Sequence, residues 1–416
     1  MKDQDISRRR FVERCAHSAF GLSVLPNLGM AAPETGKPGF GKAKNIIFLQ
    51  LKGGMSHIDT FDPKKGSAKG PADAIKTTAD FQVTEYLPET AKIADRISVI
   101  RSMTAKVGVH GPAQYFMRTG FAQRNTIKHP NLGAWAEHYL GSSHDTLPSS
   151  ACINDGPRHG NGFFSPSFSP LPIFNPESGL RNIKMSGGTD ELKSKLALSQ
   201  ELSAGFLNRF PDNNVKAYRE FYDNTLRLLR SEDLQAFDLG KEKKETREAY
   251  GESKFGQGCL LARRLVEAGI RYVEVSSDGW DMHNNLESEM EEVAPPFDRA
   301  YAALITDLEQ RGLLESTLVV LATEFGRKPE YSGNGRGHYP ICFSTALAGG
   351  GVKRGFVYGS SDSKGAMPND PVTVMDFHAT IGWAAGIPLK EPVHTASGRP
   401  MQVGGGKGDP VLNLFG

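Results

Sequence analysis

Cysteine is scarce in this chain of 416 residues, which carries 4, none in a Cys-x-x-Cys spacing. That scarcity excludes the usual thiolate zinc sites and a disulfide-stapled scaffold. Cys15 falls in an N-terminal segment that reads as an address, which leaves Cys152, Cys259 and Cys342, scattered and odd in number. Buried free thiols are the expected state, with at most one disulfide. An excess of charge is missing too: 49 Lys and Arg stand against 47 Asp and Glu, for a net charge of +2. That balance gives no general attraction to nucleic acid or to a membrane surface. No run is apolar enough to cross a bilayer, so no integral membrane segment is expected in the mature chain. No fixed-period repeat is found either.

Glycine (46) and proline (25) are plentiful and announce long loops between core elements. At the N-terminus, "SRRRFV" (Ser7–Val12) has the Ser-Arg-Arg-x-Phe form of a twin-arginine export signal. The apolar "AHSAFGLSVLPNLGMA" follows, with small residues near Ala31. Residues 1–31 are therefore read as a signal peptide, 32–44 as a linker and 45–416 as a single domain, periplasmic or secreted. The twin-arginine route carries proteins already folded, which suits one loaded with a metal before export.

Along that domain, "NIIFLQL" (45–51) and "RISVIRSM" (96–103) read as buried strands, with a helix over the "VHGPAQYFMRTG" stretch (109–120). Residues 121–215 form a loop-rich excursion with few regular elements, and 216–270 are charged and helical. "RYVEVSS" and "TLVVLATEFG" are further strands. Between them "PPFDRAYAALITDLEQRGLLEST" reads as an amphipathic helix that opens at Pro295 and stops near Gly312. Strand and helix alternate at both ends of the chain. The pattern predicts an α/β fold with a doubly wound, mainly parallel sheet and helices on both faces.

Polar residues cluster at the ends of these strands, where open α/β sheets place their sites. The first loop offers Ser56, His57, Asp59 and Asp62. A second offers Asp278, Asp281 and His283. Glu324 and Arg327 follow a third strand, and Arg336 and His338 lie just beyond. Carboxylates and imidazoles that converge in this way suit a divalent cation, with Zn, Mn or Fe favoured over Ca or Mg. Each also has an ordinary structural reading: Glu324 as a partner of Arg327, His338 as a cap, His57 as a loop brace. His378, on the last predicted helix, reads as a packing residue.

Taken in order, "GGMSHIDTFDPK", "HGPAQYFMRTG", "DGWDMHNN", "TEFGR", "GRGHYP", "LAGGGVKRGFVYGSSD" and "DFHAT" resemble the exported bacterial family called domain of unknown function 1501. That family lies within the alkaline phosphatase and sulfatase superfamily. The resemblance puts His110 where those enzymes carry a Ser, Thr or Cys nucleophile, and Lys52-Gly53 where a metal-binding Asp is usual. Glu324 and Phe325 fall on the positions of a metal-binding Asp and His. The superfamily thus implies a metal-dependent hydrolase of a phosphate or sulfate ester. Asp59, Asp281, His283, Glu324 and His338 would hold a divalent metal, Zn or Mn first and Ca as a further candidate. Arg327 and Arg336 would clamp the anion, Ser56 and His57 would bind substrate, and the substrate would be an anionic small molecule or a sulfated or phosphorylated glycan. His110 has three open roles: nucleophile, base or ligand for the metal reaction, or relic of a degenerate site. In the last case the protein binds an anionic glycan or a partner protein without turnover. At the start of its helix His110 is expected to feel the positive dipole end, which lowers its pKa.

Overall fold

The first strand, β1 (Asn45–Leu51), has six of its seven residues buried. Its alternate side chains feed two apolar clusters: Ile47, Leu49 and Leu51 enter one, Ile46 and Phe48 the other. A strand buried on both faces belongs in the middle of a sheet with helices on either side. In the computed structural model, which describes residues 36–156, 160–180, 198, 227–229, 231–331 and 333–416, β1 lies inside a nine-stranded sheet. The other strands are β2 (Ile97–Thr104), β3 (Ser150–Ile153), β4 (Leu171–Ile173), β5 (Tyr272–Ser277), β6 (Thr317–Thr323), β7 (Phe343–Ala348), β8 (Phe356–Tyr358) and β9 (Val372–Thr373).

The sheet order is β8-β2-β7-β6-β1-β5-β3-β4, with β9 also paired to β2. β1 runs parallel to both β5 and β6, and only β7 is antiparallel to its neighbours. The predicted doubly wound, mainly parallel sheet is what forms. On one face pack α3 (Lys254–Glu267) and α4 (Leu286–Gln310), through residues such as Leu261, Leu265, Phe297 and Tyr301. On the other pack α1 (His110–Thr119), α2 (Leu132–Leu140) and α5 (Val374–Ala385), through Met117, Trp135, Phe377 and Ile381. Each such side chain contributes about 1.5–3 kcal/mol by leaving water. Truncation of Leu49 to Ala at the sheet centre would cost about 2–5 kcal/mol.

Two expectations change. The helix expected to open at Pro295 starts nine residues earlier, at Leu286, and runs through Pro295 and Pro296. Leu286, Met290, Ala294, Phe297 and Tyr301 are all buried on it. One stripe at helical spacing continues across the prolines, and its burial outweighs their missing N–H groups. The region expected to be loop-rich also supplies regular structure: within 121–215, the described residues include α2 and the short strands β3 and β4. Four and three residues are too few to show a period. The expected signal (1–31), the start of the linker, and most of 181–226 lie outside the described residues. Cys152, Cys259 and Cys342 are buried and free. His378 is buried, and its Nε2 lies 2.7 Å from the Met117 carbonyl, a packing role as expected. No helix among the described residues is long and apolar enough to cross a membrane.

Candidate active site

Because β1, β5 and β6 are parallel, the loops that leave their C-terminal ends meet on one edge of the sheet. β1 leads into Lys52-Gly53-Gly54, β5 into the loop with Asp281 and His283, and β6 directly into Glu324. Gly326–Arg327 then pairs antiparallel with His338–Tyr339, which returns His338 to the same edge. The loop of Asn334 to Arg336 braces the His283 loop from behind: Arg336 N–H donates to the Met282 carbonyl (3.1 Å) and Leu286 N–H to that of Asn334 (2.8 Å). The N-terminus of α1 supplies His110. No side chain caps that terminus, and Gly120 ends the helix in the left-handed conformation at φ 74°.

The resulting cluster is close. Asp281 Oδ1 lies 3.2 Å from His283 Nε2 and 3.3 Å from His338 Nε2, and the two imidazole nitrogens face each other at 2.9 Å. His338 Nδ1 is 2.8 Å from the Gly108 carbonyl, which only accepts. Nδ1 therefore carries the proton, and Nε2 presents a lone pair to the cluster. This is the tautomer of a metal-ligating histidine. A tetrahedral zinc site with ligands at about 2.0–2.1 Å sets neighbouring ligand atoms about 3.3 Å apart. Asp281, His283 and His338 have that spacing and that chemistry, so the residues present fit a divalent cation. A ligand atom of His110 also lies within 4.8 Å of those of Asp281 and His338.

His110 stands across from this trio. Its Nδ1 is 2.8 Å from Glu324 Oε1, and its Nε2 is 3.1 Å from Asp281 Oδ2 without the alignment of a hydrogen bond. Glu324 is buried, and the same Oε1 accepts from the Gly53 N–H (2.9 Å) and from Gln114 Nε2 (3.2 Å). Glu324 thus backs His110 rather than joining the three-residue cluster. The hydrogen bond to Glu324 raises the His110 pKa above its ordinary 6.5; burial opposes and Asp281 adds to the rise. The expected lowering by the helix dipole is reversed, because a carboxylate in direct contact outweighs a partial charge. His283 moves the other way: burial lowers its pKa first, and the Arg327 guanidinium lowers it further. Burial pushes Asp281 up, but its bond to Arg327, with the imidazoles, holds it below the ordinary value. Phe325 is fully buried and walls the cluster, with ring centroids 5.0 Å from His110 and 4.5 Å from His338.

The other candidates form a separate network. Arg336 is buried and engaged throughout: Nε donates to Asp59 Oδ2 (2.7 Å), Nη1 to the Pro329 carbonyl (2.5 Å), and Nη2 to the Ala68 carbonyl (2.9 Å). Ser56 hydroxyl bonds the same Asp59 carboxylate. His57 is buried, its Nε2 2.8 Å from the Gly365 carbonyl, and burial lowers its pKa. Ser56, His57, Asp59 and Arg336 thus hold loops together and do not reach the cluster: Asp59 is spent on Arg336, not on a metal. Arg327 does reach it, yet its donors are also taken, by the carbonyls of Gly53, Gly54, Trp280 and Arg336 and by Asp281. Nε and Nη2 are thus spent within the protein, and the guanidinium is buried away from an incoming substrate anion.

Sequence reading missed Gln114 and the Gly108 carbonyl. Gln114 follows His110 by four residues, the spacing that puts two side chains on one helix face, so a signal was there. A carbonyl leaves none. The glycine at position 53 has a steric cause. A Cβ on Gly53 would sit 2.4 Å from the Asp281 backbone nitrogen, and Gly53 has φ 124°. No side chain fits at that turn.

A model of proteins of unknown function, DUF1501, matches residues 43–415. The chain belongs to the DUF1501 family. None of the curated proteins matches its sequence. Among solved structures the chain is similar to the lipoteichoic acid synthase LtaP of Listeria monocytogenes, at 10% identity and a TM-score of 0.45. The match covers 95% of this chain and 80% of that one. It is also similar to the phosphonate monoester hydrolase SpPMH of Silicibacter pomeroyi (11%, TM-score 0.37, 90% and 77% covered). The PsFucS1 sulfatase of a Pseudoalteromonas species is a further likeness (12%, TM-score 0.40, 85% and 69% covered).

Proposed function

We propose that this protein is an exported, metal-dependent hydrolase of a phosphate or sulfate ester that works without a protein nucleophile. The observation that carries the reading is the pairing of two groups on one sheet edge. Asp281, His283 and His338 have the spacing of a metal ligand set, and His110, backed by buried Glu324, faces them. Asp281, His283 and His338 would hold the cation, Zn or Mn. When bound, it supplies positive charge that offsets the charge developing on the ester oxygens.

The rest belongs to the chain's own residues. Glu324 Oε1 accepts the His110 Nδ1 proton, which leaves the Nε2 lone pair facing the site. A base there takes a proton from the attacking water as its oxygen bonds to phosphorus or sulfur, then returns it to the departing alcohol. A raised pKa, with Glu324 its main cause, strengthens His110 in the first role. Phe325 forms the wall on one side of the His110 ring, 5.0 Å away between centroids. A second reading, an anionic-glycan or partner-protein binder without turnover, draws support from one observation: every donor of Arg336 is already used, on Asp59 and on backbone carbonyls.

The two readings part in one assay. The full mature chain, loaded with Zn or Mn, is offered aryl phosphate and aryl sulfate. Hydrolysis that disappears in His110→Ala supports the enzyme; bound metal with no hydrolysis of either ester supports the binder. Export is tested separately. Arg8→Lys with Arg9→Lys should keep the protein in the cytoplasm, because the twin-arginine receptor reads the guanidinium pair, and undiminished export would show the address misread.

A further inference from the structure

Arg327 is one of the largest fully buried side chains of the protein. It is surrounded by oxygen. Nε donates to the Gly54 carbonyl at 2.8 Å and Nη1 to that of Arg336 at 2.9 Å. Nη2 meets the carbonyls of Gly53 and Trp280 and the carboxylate of Asp281. Four carbonyls and one carboxylate turned on a single positive group are the surroundings of a bound cation, here made from the chain itself. The Gly53-Gly54 turn is shaped for it. A Cβ on Gly53 would strike the backbone of Trp280 and Asp281, and one on Gly54 would lie 2.6 Å from the Phe325 ring and 3.3 Å from Arg327 Nε. The turn therefore gives its carbonyls to the guanidinium and has no room for a carboxylate.

Resting on the metal reading above, we propose that Arg327 is a positioning residue that acts as a resident cation: it holds Asp281 Oδ1 and limits the site to one divalent ion. The carboxylate geometry follows. Arg327 takes Oδ1 on one side, so the remaining lone pairs of Asp281 face His283, His338 and His110. The charge follows as well. Asp281 and Glu324 are opposed by one guanidinium, so the carboxylates keep one net negative charge for an incoming ion. One divalent ion satisfies it. A second would stand beside both the first ion and a guanidinium that cannot lose its proton. A planar fork is needed for four carbonyls and a carboxylate at once, so lysine is no substitute.

The test titrates metal-free mature chain with Zn²⁺ and with Mn²⁺ by calorimetry and counts metal in the dialysed protein. The expected result is one ion per chain in wild type and a Zn²⁺ affinity about 10–100-fold weaker in Arg327→Lys, with an unchanged circular dichroism spectrum. Two ions per chain in wild type overturn the inference and leave the metal reading standing, as does an Arg327→Lys that folds and binds like wild type. No ion in wild type overturns both. The wild-type count decides even where Arg327→Lys fails to fold.

Discussion

His110 Nδ1 and Glu324 Oε1 lie 2.8 Å apart, and this one bond ties the start of α1 to the end of β6. The two residues are 214 positions apart in the chain, and neither has an obvious purpose alone. Together they form a histidine whose tautomer is chosen by a carboxylate that solvent does not reach. Glu324→Gln keeps the shape and removes the charge. Steady-state kinetics on an aryl ester should show kcat lower by about 10²-fold with KM little changed, since a general base contributes about 10²–10⁴-fold. Zn²⁺ affinity should hold, because Glu324 stands outside the trio; a lost metal with an intact kcat per bound ion would assign Glu324 to the ligands instead.

The Asp59–Arg336 pair makes the opposite forecast. Both side chains are fully buried, and the pair closes at 2.7 Å. Removal of one partner strands the other charge, at a cost of about 3–5 kcal/mol. Asp59→Asn should lower the urea midpoint accordingly, while the Zn²⁺ affinity of the folded fraction stays at the wild-type value. A stable variant with impaired metal binding would return Asp59 to the metal site.

These two pairs show where sequence reading stops. The strands were legible because runs such as Thr317–Thr323 are buried at every position, and loops after parallel strands must share an edge. Hence Glu324, Asp281, His283 and His338 could be set together without any structure. Asp59 leaves the same edge and looks the same in sequence. Only its partner, 277 residues away, makes it structural. Direction is equally mute: Phe343–Ala348 is buried throughout, and nothing in such a run tells that β7 enters antiparallel. Pro295 and Pro296 mislead for a related reason: a local start signal says nothing of the apolar stripe, Leu286, Met290 and Ala294, that α4 buries ahead of them.

Glu137, on α2, offers a stability test by pH. Burial raises its pKa from 4.5 to about 7, against smaller opposing effects from Ser149 and Arg271. The folded chain then holds a proton that the unfolded chain releases between these values. Stability from this group is present below pH 4.5 and is lost as pH rises towards 7. Glu137→Gln removes that loss. Allowing for partial exposure, the variant should gain about 1–2 kcal/mol over wild type above pH 7 and nothing below pH 4.5. Urea titrations at the two ends check it; a gap that does not change with pH would mean that Glu137 titrates normally.

His110 and His338 should separate chemistry from metal. His338 offers Nε2 to the cluster while Gly108 holds its Nδ1 proton, so His338→Ala removes a ligand and should weaken Zn²⁺ binding by at least about 10-fold. His110→Ala leaves Asp281, His283 and His338 in place, so Zn²⁺ should still bind while hydrolysis of the aryl ester falls to background. The stability cost should be modest but measurable, about 1–3 kcal/mol, because buried Glu324 loses one of its donors. His110→Cys adds a sharper case. It restores a sulfatase-like residue, yet Gln114 stands where the Cys-x-Pro-x-Arg motif needs arginine, and Gln114 donates to Glu324 at 3.2 Å. Conversion to an aldehyde should not occur, and mass spectrometry should find an unmodified thiol. Both substitutions abolishing metal binding equally would place His110 among the ligands, and the base would have to be sought elsewhere on this edge.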